Sequence, residues 1–132
     1  VHRRVVVGGD VDGADHAFFA QFNKIDTIRH CMVAYLATTP VSIGAIKQYD
    51  DRTMEVKRMY TLENCRGKGY AGLVLKSLEE WAAELGMKRL VLETGQKQPE
   101  ALRLYHKSGY KVIPNYGQYA EVESSVCFEK HL

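Results

Sequence analysis

The chain has 132 residues, of which 45% are hydrophobic and 26% charged, proportions typical of one folded domain over residues 1–132. Its formal charge of +2 and scattered basic residues give no reason to expect a nucleic-acid partner. The longest apolar run, 31–37, is far shorter than the ~20 residues of a membrane-spanning helix, so we expect no membrane association and a cytoplasmic location.

The first half of the chain predicts four strands and one helix. Asp12 can cap a helix whose apolar residues recur at helical spacing up to Phe22. Three of the strands read as a meander, because Thr38-Thr39-Pro40 and Asp50-Asp51-Arg52 are turn sequences. The predicted strands are Arg3–Val7, Cys31–Ala37, Val41–Tyr49 and Thr53–Thr61.

In the second half the hydrophobic period changes to that of a helix. Apolar residues recur at three- and four-residue steps from Tyr70, and Gly86 supplies the stop expected after such a helix. Pro99 suits the first turn of a second helix that stops at Gly109. The predicted strands are Arg89–Thr94, Tyr110–Ile113 and Ser125–Glu129. The first of these is nearly all apolar, so we expect it to be covered on both faces of a mixed sheet with a β-α-β crossover.

The glycine-rich segment Cys65–Gly72 lies between a predicted strand and a predicted helix. Glycines let backbone amides approach a ligand closely, and a helix N-terminus adds unpaired N–H groups and partial positive charge. The segment therefore suits a phosphate or pyrophosphate, although a tight strand-to-helix turn would need the same glycines. Its glycines spell GxGxxG, but they follow an antiparallel meander, which argues against a dinucleotide-binding fold.

Two motifs resemble the GNAT superfamily of N-acetyltransferases. Arg66-x-x-Gly69-x-Ala71 is similar to its Arg/Gln-x-x-Gly-x-Gly/Ala signature, and the stretch 98–110 is similar to its A-x-x-L-Y-x-x-x-G-[FY] helix. Gln98 stands where relatives often have Asn. The resemblance implies an α+β fold in which helices flank a central mixed, largely antiparallel sheet of about six to seven strands.

The resemblance also implies that acetyl-CoA is the acetyl donor, with no metal. Backbone amides of the signature loop would hold its pyrophosphate, and the preceding strand would pair with its pantetheine arm. The expected cofactor-binding residues are Met59, Tyr60, Thr61, Arg66, Gly67, Lys68, Gly69, Tyr70 and Ala71. The side chains of Arg66 and Lys68 either add charge at the phosphates or are solvated surface cations.

Tyr105 occupies the position of the general acid in the family, and its phenol can donate a proton to the departing thiolate. The alternative is a core tyrosine on an amphipathic helix. Glu55 is the candidate general base, since relatives often carry a catalytic glutamate on this strand; a surface Glu–Lys pair would also explain it. Strict alternation puts Glu55, Lys57 and Met59 on one face of the strand. It puts Arg58 on the opposite face, either paired with a buried acid or facing an anionic acceptor.

The sequence thus predicts an N-acetyltransferase that moves an acetyl group to a primary amine of a small-molecule acceptor by direct attack in a ternary complex. The alternative is a catalytically silent CoA-binding sensor or partner-binding module. Tyr116 and Tyr119 either stack on the acceptor or cover the end of the sheet. The three cysteines match no metal or redox spacing, so we expect buried or half-buried thiols, with catalytic use of one of them as the alternative. A homodimer is compatible with an edge strand at Ser125–Glu129.

Overall fold

The computed structural model describes residues 2–7 and 29–132, which form a seven-stranded mixed sheet and two α-helices. The strands are β1 (Arg3–Val7), β2 (His30–Leu36), β3 (Thr39–Gln48), β4 (Thr53–Thr61), β5 (Arg89–Gly95), β6 (Lys111–Ile113) and β7 (Ser125–His131). The helices are α1 (Tyr70–Glu84) and α2 (Pro99–Lys107). The predicted α+β architecture is confirmed, and the helix predicted to begin at Asp12 lies outside the described residues.

The sheet order is β1-β2-β3-β4-β5-β7-β6. β2, β3 and β4 form the predicted antiparallel meander, whereas β4 and β5 run parallel and are joined by α1. The first turn is shorter than predicted, because β3 already begins at Thr39 and Ala37 takes a left-handed φ of 53°. Gly86, with φ of 83°, follows the end of α1 as predicted.

Helix α1 packs on the sheet through a face of apolar side chains. Its buried residues are Val74, Leu75, Leu78, Trp81 and Ala82. Gly44 of β3 lies beneath this face, where a Cβ atom would collide with the sulfur of Met59 and approach Val74 and Leu78 at 3.0 Å. The absence of a side chain at Gly44 therefore lets helix and sheet pack closely.

The most consequential feature of the sheet is the divergence of β4 and β5. The two strands pair at three positions, the last of which joins Glu55 to Val91. Beyond that point β4 continues to Thr61 and β5 to Gly95 with no pairing between them. The separation leaves the backbone of β4 unpaired on the side that faces β5, and it opens a groove between the strands.

A β-bulge in β4 corrects the predicted alternation. Ile43 pairs with Tyr60 but Ala45 pairs with Lys57, so Gly44 lies opposite both Arg58 and Met59. The extra residue reverses the phase of the strand, which places Met59 against α1 and not on the face of Glu55. Arg58 adopts a left-handed φ of 59° and is exposed, so the expectation of a buried Arg58 paired with an acid is wrong.

The position of β7 corrects a second prediction. Ser125–Glu129 belongs to an interior strand, because β7 pairs with β5 on one side and with β6 on the other. Among the described strands the edges are β1 and β6. The predicted homodimer therefore loses the edge contact on which the prediction relied.

The core agrees with the sequence pattern. Leu90, Val91 and Leu92 of β5 are all buried, as predicted for a strand covered on both faces. Cys31, Cys65 and Cys127 are buried free thiols, and burial raises the pKa of Cys31 to about 12. Neither described helix is long and apolar enough to cross a lipid bilayer.

Candidate active site

A groove of about 1000 Å³ occupies the gap between β4 and β5. Its walls are the second half of β4, the loop and first turn of α1, the end of β5, and one side of α2. Among the predicted residues, those that line it are Glu55, Met59, Tyr60, Thr61, Arg66, Gly67, Gly69, Tyr70, Ala71 and Tyr105. Lys68 is exposed and lies outside the groove lining.

The glycine loop gives one end of the groove the properties of an anion site. Gly67 and Gly69 have left-handed φ angles of 76° and 87°, which explains why glycine occupies both positions. Gly69 is also the N-cap of α1, where no side chain accepts a hydrogen bond and no acidic residue lies in the first turn. The amides at the start of α1 are thus left for a ligand, and the helix dipole favours a negative one.

Arg66 lies along the end of β4 beside this loop. Its Nε donates a hydrogen bond to the carbonyl oxygen of Thr61 at 3.0 Å, and its guanidinium lies 5.5 Å from the centre of the Tyr60 ring. The guanidinium stays exposed, so its charge remains available to an anion at the loop.

Tyr105 projects from α2 into the groove while its ring packs in the core. It is 6% exposed, and its ring centre lies 5.8 Å from that of Tyr110 and 5.7 Å from that of Phe128. Within the described ranges, 2–7 and 29–132, no hydrogen bond joins its hydroxyl to another residue. Burial raises the pKa of Tyr105 to about 12, so the phenol keeps its proton at neutral pH.

A polar cluster that the sequence did not predict ties α2 to the rest of the fold. The Tyr110 hydroxyl donates to Glu79 Oε2 at 2.8 Å, and Lys130 Nζ donates to Glu79 Oε1 at 3.0 Å. Lys130 Nζ also donates to the Ser108 carbonyl at 2.9 Å, just past the last turn of α2. Burial and the Glu79 carboxylate raise the pKa of Tyr110 far above its usual value.

Glu55 lies where β4 and β5 part, and both of its carboxylate oxygens accept hydrogen bonds. Tyr116 donates to Oε2 at 2.6 Å, and Lys57 Nζ lies 3.2 Å from Oε1. Lys57 also donates to the Tyr119 hydroxyl at 3.1 Å. Burial opposes the charge of Lys57, but Tyr119 and Glu55 outweigh it and raise the pKa of Lys57. Glu55 thus has the predicted Glu–Lys pair, yet it is buried in the groove wall and not on an open surface.

Two further charged residues line the groove: Glu93, whose place the sequence did not show, and Arg58, for which a position facing an anionic acceptor was one of the two alternatives. Glu93, on β5 beyond the last pairing with β4, lines the groove and accepts a hydrogen bond from Ser125 at 2.6 Å. Arg58 lines it from the bulge, and none of the ion pairs seen among the described residues involves it. No cluster of three potential metal ligands occurs among the described side chains.

Comparison with known proteins agrees with this geometry. Residues 9–110 match the family model described as the acetyltransferase (GNAT) family, so the chain belongs to the GNAT family. It is 36% identical over 91 residues to YsnE of Bacillus subtilis, named as an uncharacterized N-acetyltransferase, with 67% of this chain and 60% of that protein aligned. It is 33% identical to an IAA acetyltransferase of Azospirillum brasilense over 102 residues, 76% of this chain and 67% of that protein.

A solved structure shows the same fold with a ligand. A GNAT family acetyltransferase from Elizabethkingia anophelis with acetyl-CoA bound superposes with a TM-score of 0.70 at 20% identity, covering 89% of this chain and 84% of that one. The chain spans only about three fifths of the length of YsnE. Family and fold are therefore settled by comparison.

Proposed function

We propose that this chain transfers an acetyl group from acetyl-CoA to a primary amine of a small-molecule acceptor, by direct attack in a ternary complex. The observation that carries the proposal is the groove between β4 and β5, which joins the glycine loop at one end to Tyr105 and Glu55 in its walls. An anion site continuous with an unpaired strand edge suits a long, phosphate-bearing substrate.

The described residues fit acetyl-CoA in three respects. The amides of Gly67 to Ala71 would bind the pyrophosphate, with the Arg66 guanidinium beside them; the Arg66 amide itself donates to the Glu63 carbonyl oxygen at 3.3 Å. The edge of β4 from Met59 to Thr61, unpaired toward β5, would hydrogen-bond the pantetheine amides. Lys68, which is exposed and is not among the lining residues, would contribute through its backbone amide.

Proton transfers are assigned to two side chains. The acceptor nitrogen forms a bond to the acetyl carbon while the carbon–sulfur bond breaks, so one proton must leave the nitrogen and one must reach the sulfur. Tyr105, protonated and with no protein partner for its hydroxyl in the described part of the chain, donates to the sulfur. Glu55 receives the proton of the amine, directly or through a water molecule.

The test is an acetyl-transfer assay with a panel of small amines. We expect mass spectrometry to show at least one amine gaining an acetyl group, with one free thiol released per product. The Tyr105→Phe variant is the control, because it keeps the groove and loses the proton donor. Tight acetyl-CoA binding without acetylation of any amine would contradict the proposal and favour a CoA-binding module without turnover.

A further inference from the structure

We infer that Tyr116 and Lys57 are positioning residues that hold the Glu55 carboxylate in a fixed orientation toward the groove, an inference that rests on the proposed function of Glu55. Each donor takes a different oxygen of the carboxylate, Tyr116 at 2.6 Å and Lys57 at 3.2 Å. With both oxygens held, the carboxylate cannot rotate freely about its terminal bond. Glu55 is 8% exposed, so little water competes for these contacts.

Tyr116 reaches Glu55 from a loop 61 residues further along the chain. Its ring meets the rings of Tyr49 and Tyr119 edge to face, with centres 5.2 and 5.6 Å away. The loop closes on itself, since the Asn115 side chain donates to the Val122 carbonyl at 2.9 Å. Tyr116 is therefore held in place by packing, and its hydroxyl is directed at Glu55 by the fold of the loop.

The charge state of both donors suits this role. Burial, and then the Glu55 carboxylate itself, raise the pKa of Tyr116 far above its usual value, so the phenol remains a donor across the working pH range. Lys57, whose pKa is also raised, remains a cation. A carboxylate has about four lone-pair sites, so each oxygen keeps one for the acceptor or a water molecule.

Other titratable groups lie near Glu55 and contribute to the electrostatic potential around its carboxylate. Lys47 of β3 lies opposite Glu55 in the pairing of β3 with β4, and the carboxylates of Glu93 and Glu55 both act electrostatically on the Cys127 thiol of β7. Tyr119 is linked to Glu55 through Lys57, which donates a hydrogen bond to the Tyr119 hydroxyl. Lys47 is exposed and Glu93 is already hydrogen-bonded to Ser125, so the direct donors to Glu55 are Tyr116 and Lys57.

The test compares Tyr116→Phe with Tyr49→Phe in the acetyl-transfer assay. Both variants lose one hydroxyl from the same aromatic cluster, but the Tyr49 hydroxyl makes no contact with Glu55. We expect Tyr116→Phe to lower kcat by on the order of tenfold with little change in the KM for acetyl-CoA, because the Glu55 carboxylate loses one of the two donors that orient it. Lys57→Met should lower kcat in the same way, and Tyr49→Phe should leave kcat and KM as they are in the parent.

A purely structural role would lower the free energy of unfolding without lowering kcat per folded molecule. Equal kcat per folded molecule in Tyr116→Phe and Tyr49→Phe, together with a large loss in Glu55→Gln, overturns the positioning role and leaves the proposed function intact. Full activity of Glu55→Gln overturns both, because Glu55 would then have no proton to receive.

Discussion

Replacing Tyr105 by Phe tests the proposed proton donor with little disturbance of the fold. The ring contacts to Tyr110 and Phe128 remain, and the hydroxyl has no partner within the described residues that it would leave unsatisfied. We therefore expect the free energy of unfolding to change by less than about 1 kcal/mol. The turnover rate should fall roughly 10²–10⁴-fold, which corresponds to about 3–5 kcal/mol of transition-state stabilisation.

Tyr110→Phe is the matched control, because it removes a phenol that neighbours Tyr105 but does not line the groove. Its hydroxyl donates to Glu79 at 2.8 Å, so its loss should lower the free energy of unfolding by about 1–3 kcal/mol. Its rate per folded molecule should stay within a few-fold of the parent. Urea unfolding and steady-state kinetics measure both quantities. A Tyr105→Phe variant that keeps near-parental turnover would show that Tyr105 is a packing residue and that the proton comes from water.

Three further predictions concern charge and packing. Glu55→Gln should lower the rate most below the pKa of the acceptor amine, and the loss should shrink as pH rises; a uniform loss in the pH–rate profile would mean that Glu55 orients the acceptor instead. Burial raises the pKa of Tyr105 from 10.0 to about 12, so the unfolded chain loses this proton at lower pH than the folded chain does, and the free energy of unfolding should fall between those two pH values. In thermal melts over this range, the melting temperature of Tyr105→Phe should fall less steeply with pH than that of the parent; an equal slope would refute this. Gly44→Val should cost about 1–3 kcal/mol in urea unfolding, because its side chain would meet Met59 and Val74; parental stability would show that the helix has room to shift.

Much of the fold could be predicted from the sequence because the patterns that indicate strands, turns and helix ends are local. Strand β4 was predicted with its observed bounds, and Gly86 and Gly109 follow the two helices where left-handed residues were expected. The glycine loop was predicted from Gly67 and Gly69, whose left-handed angles depend on the absence of a side chain. These features follow from the preferences of single residues and their near neighbours.

The missed features depend on contacts between distant residues. The bulge in β4 places a left-handed conformation on Arg58, a residue whose type gives no sign of it, and it reverses the face predicted for Met59. The bond from Tyr116 to Glu55 joins residues 61 positions apart. The strand at Ser125 was predicted, but its place between two others is set by strand pairing along the whole sheet.

The measurement that tests the central claim most directly is calorimetric titration of acetyl-CoA into Gly69→Val and Gly86→Val. The two glycines have similar left-handed φ angles of 87° and 83°, and a Cβ atom at either would meet nothing within 4 Å, so both variants carry the same backbone strain. Only Gly69 belongs to the proposed pyrophosphate loop. We expect Gly86→Val to bind acetyl-CoA and desulfo-CoA as the parent does. Gly69→Val should lose CoA binding while remaining folded. Pantetheine, which lacks the pyrophosphate, should bind poorly to the parent and to both variants. Equal affinity for acetyl-CoA in both variants would contradict the assignment of this loop to the cofactor.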